Sequence, residues 1–206
     1  MNPSQDLKNR SGNKPEPAKV KSVVREWVES IVIALILAMF IRTFIIQAFM
    51  IPSGSMRTTL LEGDRILVNK LGYGAKIPFT KLRLPGYSHP RRGDVVVFIY
   101  TEDPTKDFIK RLIALGDETV EIKEGKIYIN DHLVDDPVIK GTYYYNRGEF
   151  GEANHKIHVP KDSYFVLGDN SAWSKDSRYW GFVPQDALIG RAQLIYWPLN
   201  RIRIIK

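Results

Sequence analysis

Hydrophobic residues are concentrated near the start of this 206-residue chain. Residues 30–56 contain a single charged side chain, Arg42, and the run Ile31–Ile41 is entirely apolar. A membrane-spanning helix needs about 20 mostly apolar residues, a length reached only when both flanks of this run are included. An arginine near one end is tolerated because its long side chain reaches the headgroups. The pattern therefore predicts a transmembrane helix over residues 26–50.

Two other interpretations fit the same segment. A buried core helix is one, although such helices are seldom apolar on every side. A cleaved signal peptide is the other, because Ser53-Gly54-Ser55 resembles a small-x-small cleavage site. That triplet lies well beyond the apolar run, and the polar region before the run is unusually long. A retained membrane anchor is therefore the favoured interpretation.

After Pro52 the pattern changes to short runs rich in β-branched and aromatic residues. Glu124-Gly125 separates two of these runs and is typical of a two-residue hairpin turn. We therefore predict a mainly β domain over residues 51–206, with few free sheet edges. Residues 131–162 are expected to form a small insertion, and the polar segment Gly141–His158 a surface loop outside the core. The predicted strands are Arg65–Asn69, Asp94–Tyr100, Phe108–Leu115, Thr119–Lys123, Lys126–Asn130, Ser163–Leu167 and Ala192–Trp197.

Charge separates the two ends of the molecule. The net charge is +7, and residues 1–25 contain six basic and two acidic side chains with few apolar ones. This composition predicts a flexible basic tail, and basic residues before a membrane span predict that the tail is cytoplasmic. The domain after the span is then extracytoplasmic. The rest of the chain has no basic stripe with interleaved aromatics, which argues against nucleic-acid binding.

Cysteine is absent from the chain. This excludes a disulfide framework, a cysteine nucleophile and thiolate metal ligands. The pair His155-x-x-His158 has metal-ligand spacing but no carboxylate at a matching position. The sequence therefore predicts no metal site.

Serines occur where the chain leaves the predicted membrane span. In Ser53-Gly54-Ser55 the glycine permits a sharp turn and a close approach of substrate to the backbone. One serine can then act as a nucleophile beside main-chain donors. On the pentapeptide Pro52–Met56 alone, an ordinary Ser/Gly linker is the favoured interpretation.

A nucleophilic serine needs a base, and none of the four histidines lies in a recognisable triad motif. Lys110 offers an alternative within a predicted strand. Strand alternation places Phe108, Lys110 and Leu112 on one face, with Ile109 and Arg111 on the other face. A lysine surrounded by apolar neighbours loses its preference for the charged form and can accept a proton. A solvent-reaching lysine on an edge strand remains the alternative.

Polar turn-forming residues follow the predicted strand that ends at Leu167. The segment 168–178 is rich in Gly, Asp, Asn and Ser, and Asp176 and Arg178 are spaced to form a pair. The segment is either a brace for a site or a solvated turn.

Taken together, these segments resemble bacterial type I signal peptidases, which are membrane-anchored serine proteases. A match to any one sequence motif of this family is weak evidence, but several motifs in the family's order after a predicted membrane anchor are specific. The matching blocks are Glu26-Trp27 with Arg42-Thr43, residues 51–60, residues 63–74, residues 92–98, Lys110-Arg111 and residues 168–184. The resemblance implies a fold of coiled antiparallel β-sheets and removal of signal peptides at the outer face of the cytoplasmic membrane.

The resemblance also implies roles for individual residues. Ser55 corresponds to the nucleophile and Lys110 to its general base. The Ser53 hydroxyl and the Ser55 main-chain N–H correspond to the oxyanion hole. Ser174 corresponds to a residue that hydrogen-bonds Lys110 and orients it.

Four further residues are implied to support this site: Asp176 with Arg178, and Asp169 with Arg111. Neither a metal nor an organic cofactor is implied. The expected partners are membrane lipid and exported preproteins with small residues, typically alanine, at the first and third positions before the cut.

Three departures from the family pattern are present. Thr58 stands where the family usually has proline, and Gly116-Asp117 lies in a changed loop after the predicted base. Ser171-Ala172-Trp173 replaces the usual Arg-Asp-Asn. These changes put loop geometry and pocket shape in question but remove no predicted catalytic group.

Two other function classes compete with the signal peptidase prediction. One is a Ser/Lys protease with a different substrate, such as a self-cleaving repressor. The other is an inactive anchored β-domain that binds exported proteins.

Overall fold

The computed structural model describes residues 23–78, 80 and 82–206. Residues 1–22 lie outside this range, so the predicted flexible tail over 1–25 is almost wholly outside the described residues. The first element is helix α1 (Val23–Phe40), which continues as a π-helical turn over Ile41–Ile45. These 23 residues are long and apolar enough to cross a membrane, and none of the residues in α1 is buried.

The predicted helix over residues 26–50 differs from the structure at both ends. The observed helix starts earlier, at Val23. The last five residues of the predicted helix, Ile46–Met50, form strand β1 instead. All five pair in antiparallel register with Arg65–Asn69. Pairing in the sheet therefore satisfies the main-chain hydrogen-bonding groups of these five residues, which apolar composition alone had predicted to be helical.

Residues Met39–Lys206 form a compact unit, which is separate from the described part of the N-terminal helix up to Ala38. The Met39–Lys206 unit contains an eight-stranded antiparallel sheet in the order β1-β2-β11-β3-β4-β9-β10, with β12 also paired to β11. Bulges interrupt the pairing of β11 with β2 and β3, and of β4 with β9, and such bulges bend and twist a sheet. The strands of this sheet are β1 (Ile46–Met50), β2 (Arg65–Asn69), β3 (Val95–Ile99), β4 (Asp107–Ala114), β9 (Ser163–Leu167), β10 (Val183–Pro184), β11 (Leu188–Trp197) and β12 (Arg203–Ile204).

A smaller antiparallel sheet lies within the same unit, in the order β7-β6-β5-β8. The predicted Glu124-Gly125 hairpin is confirmed: these residues have φ angles of 50° and 75°, as a primed two-residue turn requires. The first two strands of this sheet lie within residues 119–129, before the predicted insertion at 131–162. The insertion therefore supplies only part of the sheet. Its elements are β5 (Thr119–Lys123), β6 (Lys126–Ile129), β7 (His132–Leu133) and β8 (Ile157–His158), and the short helices of the unit are α2 (Pro137–Gly141) and α3 (Ser177–Trp180).

The prediction that Gly141–His158 lies outside the core is wrong for part of the segment. Tyr144 is fully buried and Ile157 nearly so, and both belong to the apolar cluster beneath the smaller sheet. That cluster also contains Phe165 and Leu167 of β9. The sequence pattern did not indicate that these two residues are buried, because most of their neighbours in the chain are polar. The cluster packs against β9, the strand that leads into the candidate site.

The mainly β prediction is confirmed, and the seven predicted strands coincide with observed strands to within a few residues. Strand β4 lies inside the larger sheet, between β3 and β9. Its alternating side chains enter different apolar clusters: Leu112 packs with Val96 and Phe98, and Ile113 with Phe165. The two basic side chains in the middle of this strand, Lys110 and Arg111, are therefore held in a buried environment.

Candidate active site

Ser55 lies in a 3₁₀ turn over Gly54–Met56, a few residues after β1. The turn is fixed at both ends, because Met56 is fully buried and the Ile51 N–H donates to the Asp64 carbonyl over 2.9 Å. The Ser55 carbonyl also accepts a hydrogen bond from the Asn170 N–H, at 3.0 Å. The interpretation of this segment as an ordinary linker is therefore wrong.

Lys110 lies on the interior strand β4 and is buried. Its Nζ donates to Ser55 Oγ over 2.8 Å and to the carbonyl of Ile109 over 3.0 Å. The alternative of an exposed edge-strand lysine is wrong, because β4 has neighbours on both sides. A serine hydroxyl and a buried amine are thus in direct contact, although they are 55 residues apart in sequence.

The charge state of Lys110 is set mainly by its surroundings. Burial lowers the pKa of its ammonium to about 8, against the opposing pull of the Asp176 and Asp169 carboxylates. The Phe108 ring centroid lies 5.5 Å from Nζ, which adds an apolar surface on one side. About a tenth of Lys110 is therefore an uncharged amine at pH 7, and more than half is uncharged above pH 8. This uncharged form can accept a proton.

Arg111 points away from Lys110, as strand alternation predicts, and is completely buried. It binds the Asp169 carboxylate through two hydrogen bonds, of 2.8 and 2.7 Å. Thr59 completes the cluster by donating to Asp169 over 2.5 Å. Burial by itself would lower the pKa of Arg111, but its hydrogen bonds and charge interaction with Asp169 raise that pKa overall. This pair links β4 to the loop after β9.

Arg178 and Asp176 form a second buried pair beneath the site. Two Arg178 nitrogens each donate to Asp176 over 2.8 Å, and Asp176 also accepts from the Gly168 N–H at 3.0 Å. Arg178 further donates to Ser171 Oγ, over 2.8 Å, and to the Ser171 carbonyl, over 2.9 Å. The interpretation of residues 168–178 as a solvated turn is wrong, because their charged side chains are mostly internal.

Ser174 departs from the prediction that it hydrogen-bonds Lys110. Its Oγ is buried and has no hydrogen-bond partner among the residues that the structure describes. The Lys110 amine instead contacts Ser55 and the Ile109 carbonyl. Ser174 nevertheless lies at the site, because a Cβ added to Gly168 would be 2.2 Å from Ser174 Oγ and 2.5 Å from the Ser55 carbonyl oxygen.

A cleft of about 280 Å³, termed here the first cleft, opens beside the two contacting residues. Ser53 lies on its wall and is exposed, so its hydroxyl is accessible to a bound molecule. Within the described residues, no three His, Cys, Asp or Glu side chains are grouped so that they could hold a metal ion. The lining residues of the first cleft are Pro52, Ser53, Ser55, Asp107, Phe108, Ile109, Lys110, Trp173 and Lys175.

Sequence reasoning assigned no role to Asn170. Its side-chain amide donates to the Gly54 carbonyl over 2.9 Å, next to the hydrogen bond from its main chain to Ser55. Its position in a Gly-Asp-Asn turn indicated hydrogen bonding, but a partner 116 residues away cannot be read from local pattern. Asn170 therefore connects the loop after β9 to the turn that holds Ser55.

The substitution of threonine for proline at position 58 has a structural counterpart. Thr58 has a φ of 79°, in the left-handed region. A proline ring holds φ near −65° and is excluded from this conformation. The turn after Ser55 therefore follows a backbone course that the usual family residue cannot adopt.

Comparison with known proteins gives a consistent result. The family model described as signal peptidase, peptidase S26, matches residues 24–197. Signal peptidase I of Pseudomonas aeruginosa is 33% identical, with 90% of this chain and 79% of that protein covered. Signal peptidase I of Leptolyngbya laminosa is 38% identical, with 89% and 85% covered. A crystal structure of a signal peptidase I from Enterococcus faecalis is 32% identical and covers 50% of this chain and 97% of that one, with a TM-score of 0.42. The chain belongs to the signal peptidase family, peptidase S26.

Proposed function

We propose that this protein is a serine endopeptidase that removes N-terminal signal peptides from exported preproteins, with Ser55 as nucleophile and Lys110 as general base. The observation that carries the proposal is the 2.8 Å hydrogen bond between Lys110 Nζ and Ser55 Oγ in a buried setting. Membership of the peptidase S26 family supports the reaction class.

The chemistry follows from this contact. Neutral Lys110 takes the proton of Ser55 as Oγ forms a bond to the scissile carbonyl carbon. The resulting ammonium gives a proton to the leaving nitrogen as the C–N bond breaks, which leaves an ester on Ser55. Water then attacks the ester while Lys110 takes its proton. The ester bond breaks, Ser55 regains a proton from Lys110, and the signal peptide leaves as a carboxylic acid, which releases its proton to solvent.

The negative charge that develops on the carbonyl oxygen needs donors. We assign this role to the Ser53 hydroxyl and the Ser55 main-chain N–H. Both residues line the first cleft, and the Ser53 side chain is exposed there. Loss of one such donor typically costs about 10²-fold to 10³-fold in rate.

The first cleft is also the proposed site for the residues before the cut. Its apolar wall is formed by Pro52, Phe108 and Ile109, next to Ser55. A shallow apolar wall suits small side chains such as alanine and excludes large ones by steric clash.

Membrane location follows from the N-terminal segment. Helix α1 and the turn after it provide one apolar span of 23 residues. The basic residues before it support a cytoplasmic N-terminus, with residues 51–206 outside. The active site would then meet signal peptides at the membrane surface, where they end.

The test is cleavage of a purified preprotein by the full-length chain in detergent. Wild type should cut at a single site, and Ser55→Ala should be folded and inactive. Activity should be the same with and without EDTA. If wild type cuts no preprotein and a serine-directed acylating inhibitor does not label Ser55, the proposal fails and an inactive binding domain takes its place.

A further inference from the structure

A second cleft, of about 360 Å³, opens next to the same serine. It shares Ser53, Ser55 and Trp173 with the first cleft, so the two are continuous across the nucleophile. A polypeptide whose carbonyl reaches Ser55 continues in both directions, and the two clefts offer it a path on either side of that serine.

The chemical character of the two clefts differs. Apart from Trp173, the second cleft is lined by no apolar side chain among the described residues. Its distinctive feature is the pair Arg57–Glu62, joined by hydrogen bonds of 2.6 and 3.1 Å. Both side chains are exposed, and they lie against Gly54, where an added Cβ would be 2.7 Å from the Arg57 Nε. The ion pair thus flanks the residue before the nucleophile.

Trp173 forms the boundary between the clefts. Its side chain is strongly exposed, at 82%. The turn that carries it is nevertheless fixed, because its N–H donates to the Asn170 carbonyl over 2.9 Å and Arg147 donates to the Ala172 carbonyl over 2.7 Å. An exposed indole carried on a fixed turn beside Ser55 is suited to contact a bound peptide.

We propose that the second cleft receives the first residues of the released mature polypeptide, and that the Arg57–Glu62 pair makes this subsite tolerant of either charge. The proposal rests on the proposed function, because it takes Ser55 as the point of cleavage. The first cleft has the apolar wall suited to small residues before the cut, which leaves the polar cleft for the residues after it. Arg57 can meet an acidic side chain and Glu62 a basic one, so the intact pair favours neither.

The experiment uses three quenched fluorescent peptides that are identical up to the scissile bond. They carry Glu, Lys or Ala at the second position after it. The ratio of kcat/KM for the Glu and Lys peptides is measured at low salt with the full-length chain in detergent. Glu62→Gln leaves Arg57 unpaired and should raise this ratio by about twofold to fivefold, the range of an exposed ion pair. Arg57→Gln should lower it by a similar factor, and both effects should shrink at high salt.

A matched control is available in another exposed ion pair with the same sequence separation. Asp135 and Lys140 are 2.6 Å apart and line neither cleft, so Asp135→Asn and Lys140→Gln should leave the ratio unchanged. The proposal is overturned if Glu62→Gln and Arg57→Gln shift the ratio in the same direction or not at all. It is also overturned if the two variants shift the ratio only in a second peptide set, in which Glu or Lys stands two residues before the bond instead of after it. In those cases cleavage of the Ala peptide by wild type, absent in Ser55→Ala, leaves the proposed function intact. If wild type cleaves no peptide, both the subsite proposal and the proposed function are contradicted.

Discussion

Asp176 and Arg178 form an ion pair in which neither side chain has any exposed surface. The same carboxylate accepts the Gly168 N–H, and its negative charge is one of the two that oppose the lowering of the Lys110 pKa. The pair therefore connects the folding of the loop after β9 to the chemistry of the proposed base.

Asp176→Asn should be strongly destabilising. The substitution keeps the shape of the side chain but leaves the Arg178 guanidinium buried without its counter-charge. Loss of one partner from a buried pair costs about 3–5 kcal/mol. Urea denaturation of the full chain in detergent measures the effect. The exposed residue Asp135 provides the control, and Asp135→Asn should leave the unfolding midpoint unchanged. Equal midpoints for the two variants would contradict the structural role assigned to the buried pair.

Gly168→Ala should damage both stability and activity. The added methyl would be 2.2 Å from Ser174 Oγ and 2.5 Å from the Ser55 carbonyl oxygen, and the latter belongs to the main chain of the nucleophile. Overpacking of this kind costs about 1–3 kcal/mol. A displacement of Ser55 by about 1 Å can reduce the rate about 10²-fold. Denaturation and preprotein cleavage measure the two effects.

The control for this variant is Gly141→Ala, at the end of α2. A Cβ there has no neighbour within 4 Å, so the substitution should leave stability and cleavage unchanged. If Gly168→Ala cleaves preprotein at the wild-type rate, the close approach of the Gly168 loop to the turn that holds Ser55 is not needed for activity.

Ser174→Ala tests the residue whose predicted contact is absent from the structure. Protonated Lys110 has three N–H donors, and Ser55 and the Ile109 carbonyl accept two of them. We expect Ser174 to accept the third after proton transfer. Its loss should lower kcat about tenfold, the effect of one hydrogen bond of about 1.5 kcal/mol to a charged group, with KM unchanged.

The unfolding free energy should separate this role from a packing role. In the resting enzyme the Ser174 hydroxyl has no partner among the described residues, so Ser174→Ala should not lower stability. If Ser174→Ala retains the wild-type kcat, Ser174 does not accept a hydrogen bond from protonated Lys110 and contributes only to packing.

Lys110→Met should increase stability while it abolishes cleavage. Burial lowers the pKa of Lys110 to about 8, from an ordinary value of 10.5. The unfolded chain therefore binds more protons between these values, and the penalty for burying the ammonium is greatest below pH 8. The variant should be more stable by about 1–3 kcal/mol at pH 7, since one pKa unit corresponds to about 1.4 kcal/mol. The gain should decrease as the pH rises from 8 to 10.5. A gain that is independent of pH would contradict the charge-burial argument.

The sequence predicted the strands well because alternating β-branched and aromatic residues have a local signature. Thr119–Lys123 and Ser163–Leu167 were predicted with their observed bounds. Strand β1 was missed because its apolar residues continue the pattern of the preceding helix. Whether such residues pair depends on Arg65–Asn69, which lies further along the chain.

The candidate site was predictable in part. The family motifs identified Ser55 and Lys110, which the structure brings into contact. They also identified the two acidic–basic pairs, Asp169 with Arg111 and Asp176 with Arg178. Local pattern could not identify the partner of Asn170, because the hydrogen bond joins segments that meet only through the sheet. The orphaned hydroxyl of Ser174 likewise depends on packing distances that no motif encodes.

The central claim is that neutral Lys110 activates Ser55. The most direct test is the pH dependence of kcat/KM for preprotein cleavage between pH 6 and 10. We compare wild type, Lys110→Met and His158→Ala, whose histidine lies exposed on β8. Because the base must be deprotonated, wild-type activity should rise with pH and level off above about 8, the pKa of Lys110. His158→Ala should follow the same curve, and Lys110→Met should be folded and inactive at every pH. Cleavage by Lys110→Met at a rate near that of wild type would show that the base lies elsewhere.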